Sequence, residues 1–440
     1  MKQVKRRSYA ALLLALALLA GLGLFVFRFV TQGSRWVSFS ANQNLYRGGR
    51  LLSGTVTDRG GLTLASVRDG ERKYAEEALL RTACLHAVGD PEGNIGTGAL
   101  TAFADSLGGY SLLSGTDAAG GTLALSIDAQ LCATAYEALA GGGHRGAVLL
   151  ADYTTGEILC MTSSPSYDPE TGFDAGDGWY DGVWLNRALS VAYTPGSVFK
   201  LVTMAAALEN LPDLDARTFT CNGSMTADGS VITCTGIHGQ QTVEEALANS
   251  CNVAFAELSL ELGGETLRRY AERFGLTGQL TLSGIYTAAG RFEAGAAGSP
   301  ALAWSGIGQS TDLVCPAALL RYVCAIASGG TAVGPVLRRG EHGAEERLLP
   351  EETAQRLREM LRYNVTRAYG AGSFPGLPLG AKTGTAEVGD GTSHAWFTGF
   401  LDDPAHPYAF VVVVEHGGGG LRVAGPIANA VLQKAVSMQG

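Results

Sequence analysis

A chain of 440 residues with 46% hydrophobic and 17% charged side chains can build a large core, and at about 150 residues per domain it is long enough for two or three units. That balance excludes wholesale disorder, and a net charge of −9 argues against nucleic-acid binding through a broad basic face. The 61 glycines follow no three-residue period, and the eight cysteines include no C-x-x-C pair of the zinc-site kind.

Lys2, Lys5, Arg6 and Arg7 precede an uncharged run from Ser8 to Phe27 that Arg28 closes. About 20 apolar residues at 1.5 Å rise cover a hydrocarbon core of about 30 Å, so residues 8–28 are expected to be a transmembrane anchor. The leading basic residues keep 1–7 in the cytoplasm and place the body outside it. A cleaved signal peptide is the competing reading. Its apolar core is usually only about 7–15 residues and ends in a small-x-small site, which FRFVTQGSRW lacks.

Residues 33–120, rich in Gly, Ser and Arg with short strand-like pieces such as GTVTD and LTLAS, read as a small N-terminal domain or stalk. The stretch 106–122 reads as a linker. From 121 to 437 the pattern is α/β (α+β). DAQLCATAYEAL (128–139) has helical spacing, and RGAVLLADYTTGEILCMTSS (145–164) reads as two strands around a turn. Helices are expected near 197–209, 242–262, 264–274, 316–327 and 350–363, followed by the strands HAWFTGFLDD and PYAFVVVVEHGG. Strands at both ends with helices between predict one sheet completed from the C-terminus. CNGSMTADGSVITC reads as a hairpin whose Cys221 and Cys234 are either disulfide-bonded or reduced.

Three short motifs carry chemistry. In YTPGSVFKLVTMAAALE the Pro-Gly breaker places Ser197 at a helix start, with Lys200 at i+3 on the same face. A serine needs a base to become a nucleophile, and a buried amine with lowered pKa can serve. The helix start also offers N–H groups to a developing oxyanion. In TVEEALANSCN, Thr242 and Glu245 form a capping box, and the helix is expected to break at Ser250-Cys251-Asn252, leaving a hydroxyl and a carboxamide at its exit. In LGAKTGTAEVG, alternation puts Thr383 and Thr385 on one strand face beside Lys382, and Gly384 is expected to let a ligand backbone approach. Each motif alone is common. Only six of the 32 basic residues are lysine, however, and two of them fall at these motif positions, where an arginine could not deprotonate.

Ser250 lies 53 residues after Ser197, and Lys382 another 132 on, in the S-x-x-K, S-x-N, K-T-G order of penicillin-binding proteins and class A β-lactamases. With RGAVLLADYTTGEILCMTSSPSYDP, NRALSVAYTPGSVFK, HGQQTVEEALANSCN, GIGQSTDLVCP and AKTGTAEV followed by AWFTGF, the sequence resembles a class B penicillin-binding protein from about 120 to 435. It is most similar to the compact subgroup with a short N-terminal region. Cys251 in the middle of S-x-N is a departure that the family tolerates.

The resemblance implies a serine β-lactamase/transpeptidase-like fold, an antiparallel sheet flanked by helices, anchored in a bacterial cytoplasmic membrane. It implies a peptidoglycan D,D-transpeptidase that β-lactams target. Ser197 would be acylated, with Lys200 as its base and Ser250 as relay to the leaving amine. Asn252 would orient the substrate amide, and Lys382, Thr383, Gly384 and Thr385 would form the carboxylate-binding strand. Backbone N–H groups of Ser197 and Thr385 would make the oxyanion hole. No metal or cofactor is implied. The implied partners are stem peptides, β-lactams, a membrane-embedded glycan polymerase and division or elongation proteins. The alternatives on the same fold are a D,D-carboxypeptidase or a β-lactamase-like hydrolase, the latter lacking an E-x-x-L-N after S-x-N. A Ser-His-Asp triad from His144, His238, His394, His406 or His416 finds no G-x-S-x-G elbow.

Overall fold

The computed structural model describes residues 2–113, 115–116 and 120–438, so Ser114 and residues 117–119 of the expected linker lie outside it. Helix α1 (Lys2–Val37) is, among the described residues, the one helix long and apolar enough to cross a membrane. Its leucines and phenylalanines are exposed, the condition of a surface suited to lipid.

Four short strands follow: β1 (Thr55–Thr57), β2 (Thr63–Arg68), β3 (Glu71–Tyr74) and β4 (Thr122–Ala124). They form one sheet in the order β3–β2–β1–β4, with β4 parallel to β1. The loop before β1 has few backbone partners of its own. Buried Arg72 supplies them, donating to the carbonyls of Leu51, Ser53 and Gly54. Because β4 lies beyond residue 120, the small sheet draws its last strand from the start of the larger unit, and Arg81 pairs with Asp168 across the two.

Asp128 accepts the Leu131 N–H and so starts α2 (Ala129–Ala140). The hairpin β5 (Gly146–Asp152) and β6 (Ile158–Ser164) then opens the main sheet. After a 3₁₀ turn at Gly196–Phe199 come α3 (Lys200–Asn210) and four short strands, β7 (Thr218–Cys221), β8 (Ser224–Ala227), β9 (Ser230–Thr233) and β10 (Gly239–Thr242). Helices α4 (Val243–Ala248), α5 (Asn252–Leu262), α6 (Gly264–Arg273), α7 (Pro316–Ala327) and α8 (Glu351–Asn364) follow. Strands β11 (Leu379–Glu387), β12 (Ser393–Leu401) and β13 (Tyr408–Val414) and helix α9 (Gly420–Ser437) complete the chain.

The main sheet is antiparallel throughout in the order β6–β5–β13–β12–β11, so the C-terminal strands complete a sheet begun near residue 146 as expected. Every residue of β13 is buried, which explains the uninterrupted run YAFVVVV at the sheet centre. Helices α2 and α9 pack together on the sheet, as do α7 and α8. Helix α9 has no counterpart among the expected elements. Its glycine-rich start and Pro426 are poor helix signals. Burial of Ala424, Ile427, Ala428, Val431, Leu432 and Ala435 at helical spacing outweighs them.

Candidate active site

Three segments far apart in sequence meet at the free edge of the sheet. The first is the 3₁₀ turn before α3. Such a turn brings side chains three apart onto one line, so Ser197 and Lys200 share a face at the helix start. The turn packs tightly on edge strand β11. Gly196 has φ +56°, and a Cβ there would lie 2.6 Å from the Thr385 carbonyl oxygen, so glycine is required twice over.

The second segment is the break between α4 and α5. Thr242 and Glu245 form the expected capping box, with bonds of 3.2 and 2.8 Å. Helix α4 then stops, and Ser250 adopts φ +51°, a strained conformation for a residue with a Cβ. This kink directs both the carbonyl and the hydroxyl of Ser250 at Lys200. Lys200 Nζ donates to Ser250 O at 2.6 Å, Ser250 Oγ at 3.2 Å and Asn252 Oδ1 at 2.8 Å. Among the described residues the Ser197 hydroxyl has no hydrogen-bond partner, so Lys200 is held ready by the S-x-N turn and not by the serine itself.

The third segment is β11. Lys382 lies on the opposite side from Thr383 and Thr385, and its Nζ donates to Ser250 Oγ at 3.0 Å and Thr383 O at 2.8 Å. Ser250 Oγ therefore lies between two amines. Both lysines are fully buried. Burial lowers Lys200 from its ordinary 10.5 to about 7, with the nearby Cys251 and Cys234 thiols opposing. Burial also takes Lys382 well below the usual lysine range, and the charge of Lys200 pushes it further. Two ammonium groups sharing one hydroxyl repel, so one of them gives up its proton readily. The shared hydroxyl lies within hydrogen-bond reach of both amines.

Ser197, Ser250, Asn252, Thr383 and Thr385 line a cavity of about 580 Å³ with Thr233, Cys234, Thr235, Trp304, Ile307, Gln309, Ser310 and Glu387. Lys200 and Lys382 lie beneath its surface. Gly384 corrects an expectation. A Cβ there would meet Val198 Cγ1 and Trp396 Cβ, each at 3.0 Å, so the glycine admits the catalytic turn and a neighbouring strand, not a ligand.

Sequence reasoning missed Tyr369, whose hydroxyl accepts the Thr383 N–H at 3.1 Å, and Gln309, which donates to Thr385 O. No short motif marks Tyr369, whereas Gln309 lies within GIGQSTDLVCP, a segment to which the sequence alone gives no site role. None of the five candidate histidines lines the cavity. His394 packs against Tyr193 and His416, and His406 pairs with Asp403. Cys221 and Cys234 are both free thiols.

The profile of the penicillin binding protein transpeptidase domain matches residues 146–433. The chain is 29% identical over 364 residues to the peptidoglycan D,D-transpeptidase PbpA of Mycobacterium tuberculosis, covering 73% of this chain and 74% of that one. The ceftriaxone acyl-enzyme of penicillin-binding protein A from M. tuberculosis superposes with a TM-score of 0.74 at 26% identity, over 87% of this chain and 98% of that one. A penicillin-binding protein, PBP2, solved in complex with MreC from Helicobacter pylori superposes at 0.65 and 26% identity, over 72% of this chain and 64% of that one. The matched region contains all three motifs, and the described residues before it form an anchor-like helix, small sheets and short helices. The chain thus belongs to the penicillin-binding protein transpeptidase family, as a compact class B member.

Proposed function

We propose that this chain cross-links peptidoglycan as a D,D-transpeptidase through an acyl-enzyme on Ser197. The observation that carries the reading is the pair of buried lysines sharing the Ser250 hydroxyl beside an unencumbered serine. Ser197 Oγ attacks the penultimate D-Ala carbonyl of a stem peptide while neutral Lys200 takes its proton. The Ser197 and Thr385 N–H groups receive the oxyanion. The C–N bond then breaks, and the departing D-Ala amine takes a proton through Ser250. Asn252 aligns the donor amide. Thr383 and Thr385, which line the cavity, bind its terminal carboxylate, buried Lys382 behind Ser250 adds positive charge and polarises the relay, and Gly384 keeps their strand against the turn. An amine from a second strand attacks the ester, its proton returns by the same path, and Ser197 is freed.

Helix α1 anchors the protein once in the bacterial cytoplasmic membrane, with 1–7 inside, 8–28 spanning and the catalytic unit outside. Residues 33–120 hold the 121–437 unit off the bilayer. The likeness to a protein solved with MreC supports an elongation- or division-type partner, and a glycan polymerase would supply the acceptor strands.

The test supplies full-length protein with stem-peptide donor and an amine acceptor, alongside a fluorescent penicillin and peptide mapping. Label on Ser197 and cross-linked product support the reading. Label that persists in a folded Ser197→Ala protein overturns it. Trimmed peptide alone at every acceptor concentration reassigns the enzyme as a carboxypeptidase, and rapid penicillin turnover reassigns it as a β-lactamase-like hydrolase.

A further inference from the structure

One wall of the cavity is backed by four ligand-type side chains that the reaction does not use. Cys221 ends β7, Cys234 follows β9, His238 precedes β10, and Cys251 is the N-cap of α5. Their sulfur and ring-nitrogen atoms all lie within 4.8 Å of one another, the one such group found among the described residues. We propose that these four residues form a structural zinc site that clamps the 218–242 excursion onto the turn carrying Ser250 and Asn252.

The spacing is compatible with a tetrahedral metal site. Zinc with Zn–S bonds of about 2.3 Å and Zn–N bonds of about 2.0–2.1 Å sets S–S edges of about 3.8 Å and S–N edges of about 3.6 Å. Cys234 Sγ stands 3.9 Å from Cys251 Sγ and 3.6 Å from His238 Nδ1. Three sulfurs and one imidazole are a soft set that favours zinc over magnesium or calcium. Four protein ligands leave no open position, so the site is structural and not hydrolytic. A disulfide would use two of the three sulfurs and leave the third and His238 idle, whereas a metal uses all four.

The surroundings suit thiolate ligands. Backbone N–H groups of Asn252 and Ala254 point at Cys234 Sγ at 3.2 Å and Cys251 Sγ at 3.5 Å, the outer hydrogen bonds that orient metal-bound sulfur. Cys221 Sγ donates to Gly236 O, and metal binding would release that proton. The strands between the ligands pair only two by two, β7 with β10 and β8 with β9. Such ribbons have little stability of their own. The clamp also bears on the substrate cavity. Thr233, Cys234 and Thr235 line it, and Asn252 Nδ2 donates to Thr233 O at 2.9 Å. Cys251 in S-x-N is then a ligand. The site is independent of which reaction Ser197 performs, so it can fail without the transpeptidase reading failing.

Full-length protein, extracted in detergent and purified under reducing conditions without added metal, is expected to carry about one zinc per chain by mass spectrometry. Exchange into cobalt should produce thiolate-to-cobalt charge transfer and the visible bands of a tetrahedral ion. Cys221→Ser and His238→Ala should each lower occupancy and shift those bands. If either variant misfolds, the wild type decides. Its melting temperature should fall on chelation and recover with zinc alone. Zinc below about a tenth per chain without a cobalt spectrum overturns the site. So does zinc content indifferent to both folded variants, or a disulfide between any two of the three cysteines in a parallel preparation made without reductant.

Discussion

Replacing Lys200 by arginine asks whether a free amine drives acylation. Lys200 is fully buried, and burial brings it from 10.5 to about 7. At about 1.4 kcal/mol per tenfold change in proton affinity, about 5 kcal/mol of the free energy that normally holds the proton has been removed. At pH 7 about half the molecules then present the neutral amine, against about one in three thousand for an ordinary lysine, a gain of about 10³ in the reactive form. The neutral form is the base, so the rate must fall as pH falls through the folded pKa. Acylation by a penicillin should drop about tenfold per pH unit below about pH 6 and level off above about pH 8. Arginine stays protonated throughout, so Lys200→Arg should lose about 10³-fold or more and show no inflection near neutrality. Stopped-flow fluorescence with a labelled penicillin measures both profiles. A wild-type rate that is flat from about pH 5 to about pH 9, or a Lys200→Arg rate within about threefold of wild type, would refute the general-base reasoning.

Ser250→Gly keeps the left-handed backbone at φ +51° and removes only the hydroxyl that both amines share. Acylation should fall about 10²- to 10³-fold while the melting temperature moves by only a few degrees. Gly196→Ala places a Cβ 2.6 Å from Thr385 O at φ +56°, and urea unfolding should show a loss of about 2 kcal/mol or more together with slower acylation. Arg187 donates to Glu415 at 2.9 Å, and its side chain is only 4% exposed, with Tyr193 on the same carboxylate at 2.7 Å. Arg187→Ala leaves Glu415 without its cation, and about 3–5 kcal/mol of stability should go, read by the same unfolding assay. Removing Glu415 as well should cost less than the sum of the two single changes.

Much of the architecture was legible because it is written in short windows. The run YAFVVVV announced a strand, RGAVLLADYTTGEILCMTSS a hairpin, and Thr242 with Glu245 a capping box, since periodicity and capping depend on residues two to four apart. Ser197 and Lys200 were readable for the same reason, as was the break at Ser250. That α1 is long and apolar enough to cross a membrane needed only length and composition. The sharing of one hydroxyl by Lys200 and Lys382 depended on folding, because they are 182 residues apart and meet only when β11 packs on the 3₁₀ turn. The role of Gly384 also waited on that contact, since Val198 and Trp396, not a ligand, fill the space a Cβ would need. Helix α9 formed against weak local signals because its apolar stripe meets the sheet. The cysteine cluster had no C-x-x-C to announce it, its ligands coming from three strand ends and a helix cap. Local sequence sets periodicity and caps, whereas burial, pKa and ligand geometry are sums over non-local contacts and exist only once the chain has packed.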